Sequence, residues 1–149
     1  IIAKAAVLSD FQVQSLFFPS SDRVWGAVKI DKSRILSKDV GMSDIAVVLE
    51  TRLNIKHLSQ GFKDNSIVIF NSPEKLSFPW LKKRRIKVYA LDATAISTGI
   101  LKKHLPSVPA AGAVAKYFNK ITLKSMKSAA EHVSKEAVPV VEEGYKAVR

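Results

Sequence analysis

Cysteine is absent from all 149 residues. That excludes disulfides, thiolate zinc sites, Cys-ligated iron–sulfur clusters and cysteine nucleophiles in this chain. Glycine is scarce, with 6 residues and none of them clustered, so there is no Gly-x-Gly-x-x-Gly loop and no Walker loop. A Gly-x-Ser-x-Gly elbow is missing too. The histidines His57, His104 and His132 do not fall at metal-ligand spacing, which disfavours a zinc hydrolase. No apolar run reaches the roughly 18 residues of a spanning helix. The opening residues carry no basic segment and no Ala-x-Ala site, so they do not read as a secretory signal. The sequence opens on Ile1 rather than Met, and the chain is expected to continue before it.

What remains is an ordinary globular composition: 47% hydrophobic and 25% charged residues, enough to build a core. Acidic residues are outnumbered, 13 against 24 basic, for a net charge of +11. Residues 1–81 hold 10 basic and 8 acidic residues, while residues 82–149 hold 14 and 5. The second part is therefore expected to face an anionic partner, whether nucleic acid, a phosphorylated ligand, a membrane surface or an acidic protein.

Ile1 to Leu8 reads as the tail of a helix. Phe11 to Phe18, rich in aromatic and β-branched residues and stopped by Pro19, reads as a strand. Val24 to Ile30 is a second strand, expected to form a hairpin with a short returning strand at Arg34 to Leu36. Ile45-Ala46-Val47-Val48-Leu49, Ile67-Val68-Ile69-Phe70 and Ile86 to Leu91 are apolar throughout or nearly so, as expected of strands covered on both faces. A short helix is expected over Leu53 to Leu58, closed by Gly61. Helical periodicity follows over 93–103, 110–118, 123–133 and 140–148, with Thr122 a candidate N-cap. This order implies an α/β domain, a three-layer Rossmann-like arrangement with a mixed, mostly parallel sheet and helices on both faces.

The run Lys82-Lys83-Arg84-Arg85, with Lys87 and the neighbouring Phe78 and Trp80, suits phosphate contact with base stacking. It equally suits a solvated loop leading into the next strand, the commoner role of a charge run. Lys116, Lys120, Lys124 and Lys127 form either a docking face for an acidic partner such as ferredoxin or a soluble helix face. Asp92 follows a strand end, where open α/β sheets receive ligands. It is also well placed to cap the helix after it, and the cap is favoured.

Taken in order, these segments resemble a specific family. Phe17-Phe18-Pro19-Ser20-Ser21, Val24 to Ile30 and Arg34-Ile35-Leu36 look like the central strands of the gamma subunit of 2-oxoacid:ferredoxin oxidoreductases, including the pyruvate synthase type. Ser43-Asp44-Ile45-Ala46-Val47-Val48-Leu49 and Asp64-Asn65-Ser66-Ile67-Val68-Ile69-Phe70-Asn71-Ser72 are similar to its next strands. Val88-Tyr89-Ala90-Leu91-Asp92-Ala93-Thr94 resembles its apolar-Asp-Ala-Thr element. Ala111-Gly112-Ala113 and Glu143-Gly144-Tyr145 resemble its last helices. The resemblance spans nearly all of residues 1–149 as one gamma-type domain. It departs from the family in the missing N-terminal strand with its Gly-x-Gly-Gly-Gln-Gly loop, and in shortened stretches at Ser21-Asp22-Arg23 and Val108-Pro109. Loops are expected to be omitted from the sequence at these places, which a chain break at Ser21–Asp22 or Pro109–Ala110 would support. An unbroken chain there would mean a family member with reduced loops.

The resemblance implies a subunit of a complex that oxidises a 2-oxoacid with coenzyme A and passes electrons to ferredoxin. Thiamine diphosphate and iron–sulfur clusters are then expected mainly in the alpha, beta and ferredoxin-like subunits, in the cytoplasm. No catalytic residue is expected in this chain. Ser20, Ser21, Arg23 and Thr94 are the candidate contacts on the coenzyme A side. Neither a membrane nor nucleic acid is expected as partner. The rival readings are a stand-alone Rossmann-like phosphate-, nucleotide- or nucleic-acid-binding module, and a subunit that serves only as scaffold.

Overall fold

The computed structural model describes residues 1–19, 24–37, 39–52 and 54–149. A short helix α1 (Ile2–Val7) leads into strands β1 (Gln12–Pro19) and β2 (Val24–Asp31). These two pair antiparallel, from Gln12 opposite Asp31 to Pro19 opposite Val24. The hairpin is therefore built from the two earlier strands. Arg34 to Leu36, expected to return as a strand, has no regular structure, because Phe11 to Phe18 already supplies the longer partner.

Three parallel strands follow: β3 (Ser43–Val48), β4 (Phe62–Asn71) and β5 (Lys87–Leu91), in the order β3-β4-β5. Helix α2 (Ile55–Leu58) with a 3-10 turn (Ser59–Gly61) connects the first pair, and α3 (Pro79–Lys83) the second. The alternation of side chains along a strand sends Val48, Val68 and Phe70 to one face, where they meet Ile55 of α2 and Leu81 of α3. Ile69 and Leu91 point the other way, with Ile45, Val47 and Tyr89, against helix α5 (Ser107–Tyr117). Both faces are covered, which is why these strands read as unbroken apolar runs. Full burial of Phe70, Ile69 and Leu81 contributes about 1.5–3 kcal/mol for each side chain.

The layers are thus α2 and α3, the parallel sheet, and α5 with α4 (Ala93–Leu101). The α/β Rossmann-like fold read from the sequence is present. Its antiparallel element forms a two-stranded sheet of its own rather than joining the parallel one. Helices α6 (Leu123–Glu131) and α7 (Ala137–Ala147) complete the chain and enclose a second core with α1 and α5, including Ala6, Ala111, Met126 and Val141. Val13 and Ile30, at the base of the β1–β2 ribbon, pack onto this cluster.

The crossing of α5 and α7 depends on two glycines. A Cβ on Gly112 would stand 1.9 Å from the Val141 carbonyl oxygen, and one on Gly144 2.0 Å from that of Pro109. Pro109 and Ala110 lie within helix α5. Pro109 sits in the first turn, where its missing N–H is no loss. Ser21–Asp22 lies outside the described residues. Among those described, no helix is long and apolar enough to cross a membrane.

Candidate functional site

The carboxyl ends of β3, β4 and β5 bring Leu49, Glu50, Asn71, Ser72, Asp92 and Thr94 to one edge, where open α/β sheets receive ligands. Asn71 organises this edge. Its Nδ2 donates to the Leu49 carbonyl at 3.0 Å and to Thr94 Oγ1 at 2.9 Å, and its Oδ1 accepts from the Thr94 amide at 3.1 Å. One side chain therefore ties the end of β3 to the start of α4. Thr94, a sequence-predicted site residue, lies at the edge with its hydroxyl already accepting one hydrogen bond and its proton directed to no described partner.

Asp92 is the N-cap of α4, its Oδ1 accepting from the Ala95 amide at 2.9 Å. The amides of Thr94 and Ala95 are thus occupied by the chain's own oxygens. Glu50 and Arg52 are clamped together, Glu50 Oε2 lying 2.7 Å from a guanidinium nitrogen. Hydrogen bonds from Arg52 hold the Glu50 carboxyl down at about 2, so Glu50 is not poised as a general base. Among the described residues no group of three or more His, Asp or Glu could hold a metal ion.

Ser20, Ser21 and Arg23, the other candidate contacts, lie outside the described residues. In the sequence they stand between β1 and β2, and among the described residues that ribbon shares no ladder with the parallel sheet at whose edge Thr94 lies.

The basic clusters divide. Arg84 is structural: its Nε donates to Asp64 at 2.7 Å, and its two terminal nitrogens donate to the carbonyls of Ser59 and Phe62. It closes the C-terminal end of the α2 turn. Lys82, Lys83, Arg85 and Lys87 are exposed. Part of this run is helical, since Pro79 opens α3 at its first position. Lys116 donates to the Val148 carbonyl and Lys127 pairs with Glu142 at 2.8 Å. Lys120 lies over the Phe11 ring at 5.9 Å, and Lys124 lines a shallow groove with Leu123 and Val138. The four lysines do not act as one stripe.

Residues 1–149 match, over their whole length, the family described as pyruvate ferredoxin/flavodoxin oxidoreductase. The chain belongs to this family. The oxidoreductase-family chain is 31% identical to the pyruvate/ketoisovalerate oxidoreductases common subunit gamma of Pyrococcus furiosus, over 87% of this chain and 74% of that protein. Its fold is that of a pyruvate oxidoreductase subunit from Thermotoga maritima, with TM-score 0.79, 20% identity, and 99% and 86% of the two chains covered. A keto/oxoacid ferredoxin oxidoreductase gamma subunit from Geobacter sulfurreducens gives TM-score 0.74 at 14% identity, covering 98% and 86%. A 2-oxoglutarate:ferredoxin oxidoreductase from Magnetococcus marinus gives 0.70 at 14% identity, covering 97% of this chain and 26% of the other. In that protein the fold is one part of a much longer chain.

Sequence reasoning placed Thr94 at the edge but missed Asn71 as its organiser. The available signal was a polar residue directly after an unbroken apolar strand, Ile67 to Phe70, in line with Asp92 after the neighbouring strand.

Proposed function

We propose that this chain is the gamma-type, cluster-free subunit of a cytoplasmic 2-oxoacid:ferredoxin oxidoreductase. It packs on the catalytic core of a complex that converts a 2-oxoacid to its acyl-coenzyme A. The observation that carries this reading is the family match across residues 1–149 in a chain without cysteine. The thiolates that iron–sulfur clusters need then lie outside residues 1–149, as does the site for thiamine diphosphate. The partners are the alpha, beta and ferredoxin-like subunits, with ferredoxin as external acceptor. Pyruvate and ketoisovalerate, named for the Pyrococcus relative, are the first oxoacids to test, and pyruvate is our choice.

We assign the coenzyme A approach to Ser20, Ser21, Arg23 and Thr94. The described edge by itself does not fit a phosphate cradle. The first amides of α4 are capped by Asn71 and Asp92, and Arg52 is held by Glu50. In this proposal phosphate recognition therefore falls to Arg23 and the two serines, and Thr94 offers a neutral hydroxyl. Steady-state kinetics of the complete complex carrying Arg23→Ala test the assignment. A KM for coenzyme A raised about 10-fold, the order expected from losing one charge-assisted contact, supports it. Unchanged KM and kcat would leave the subunit as scaffold. The complex assembled without this chain should lose coenzyme A-dependent oxidation of the oxoacid, and full activity without it would overturn the subunit reading.

A further inference from the structure

The β1–β2 ribbon is apolar on both faces in its outer half. Phe18 stacks on Trp25 across the strands at 4.0 Å between ring centroids, and Leu16 opposite Ala27 continues that face. The other face carries Val13 and Ile30 at its base, Val28 farther out and Phe17 beyond it. Only the base is seated: Val13 and Ile30 pack on the helical core. Phe17 is 69% exposed, Trp25 45% and Val28 39%. Gly26 stands opposite Phe17, so no cross-strand side chain covers that ring.

Two strands alone are marginally stable in water, and large apolar side chains on an unseated ribbon call for a cover. The uncovered parts of Phe17, Trp25 and Val28 amount to roughly 300 Å². A stable dimer needs about 800 Å² from each partner, so this surface is too small to hold a second copy by itself. Two copies would also each bring a charge of +11, which opposes self-association and favours an acidic protein.

We propose that the outer half of the ribbon, with Phe17 and Trp25 anchoring opposite faces, inserts into an apolar cleft on another subunit of the oxidoreductase, one whose acidic surface meets the basic 82–149 part of this chain. This rests on the gamma-subunit reading. The ribbon supplies an aromatic anchor of the kind that dominates interface energetics, and the basic body supplies the remaining contact area.

The test is oxidative footprinting of the wild-type complex and of the full chain alone, with Trp80 as internal reference because it is packed on the Phe70–Leu81 core. Trp25 oxidation is expected to slow about 10-fold in the complex while Trp80 changes little. Equal oxidation of Trp25 in both states overturns the ribbon inference and leaves the subunit reading intact. Protection in the chain alone that grows with its concentration also overturns it, in favour of a second copy. If the tagged wild-type chain assembles with no oxidoreductase subunits, the subunit reading fails and the inference falls with it. A Phe17→Ser, Trp25→Ser double variant gives the independent readout. With the circular dichroism of the chain unchanged, recovery of the other subunits should drop about 10-fold, and full recovery overturns the inference.

Discussion

Replacing Gly112 by alanine separates two effects of opposite sign. In a helix interior the change gains about 1 kcal/mol of intrinsic propensity. At Gly112 the added methyl would lie 1.9 Å from the Val141 oxygen, 2.8 Å from its carbonyl carbon and 3.0 Å from the Tyr145 nitrogen. These are backbone atoms of α7 and cannot rotate aside. Carbon contacts settle near 3.5 Å, so the two helices must part by more than 1 Å, roughly the difference between the two distances. That opens the cluster holding Ala111, Val140 and Val141. Overpacking costs about 1–3 kcal/mol, and more where the backbone must move. Because backbone must move here, the cost lies at about 3 kcal/mol or above, and the net loss is about 2 kcal/mol or greater. For a chain of this size that lowers Tm by roughly 4–8 °C. Gly99 in α4 is the control, because a Cβ there meets nothing within 4 Å. Gly99→Ala should show the propensity gain alone, raising stability by about 1 kcal/mol. Thermal and urea unfolding of both variants measure the two signs. A rise in Tm for Gly112→Ala would refute the close crossing of α5 and α7.

The other predictions concern single side chains. Asn71→Ala removes the hydrogen bonds to the exposed Leu49 carbonyl and the part-buried Thr94 amide and should cost about 1–2 kcal/mol by urea unfolding. A loss below 0.5 kcal/mol, roughly the level of an ordinary surface change, would remove Asn71 as organiser of the edge. Lys102 ends α4 in the left-handed region at φ 55°, so Lys102→Gly should stabilise by about 0.5–1 kcal/mol, measured by the same unfolding. Lys127 and Lys146 hold the Glu142 carboxyl down at about 2, from an ordinary 4.5. A depressed carboxylate stabilises the fold above its unfolded value, and this contribution is lost as pH falls from about 4.5 towards 2. Glu142→Gln should flatten the stability–pH curve in that window, and an unchanged curve would count against the Lys127–Glu142–Lys146 cluster.

The parallel sheet was legible because its strands are buried on both faces and leave nearly uninterrupted apolar runs at 45–49, 67–70 and 86–91. The Asp92 and Thr122 caps were legible because an N-cap is chemistry within four residues. The hairpin was misjudged because strand pairing is non-local, and the short connection after Ile30 pointed to Arg34 to Leu36 as the partner rather than to Phe11 to Phe18. Helix α3 was hidden by its charged end, although Pro79 and the buried Leu81 mark its start and its inward face. Asn71 depends on register: it acts only because β4 lies between β3 and β5, level with Leu49 and Thr94. Composition says nothing of Gly112 and Gly144, which matter only where two helices from distant parts of the chain meet. The Ser20, Ser21 and Arg23 candidates lie outside the described residues, so of the four proposed contacts the structure locates Thr94.

Affinity purification of the tagged chain from its native cell, with a visible spectrum and an assay for coenzyme A-dependent reduction of ferredoxin by pyruvate, tests the gamma-subunit reading. Co-purifying subunits with cysteine-ligated clusters, broad iron–sulfur absorption and oxoacid-dependent turnover are expected. A colourless chain that emerges alone, or bound to nucleic acid, would contradict it.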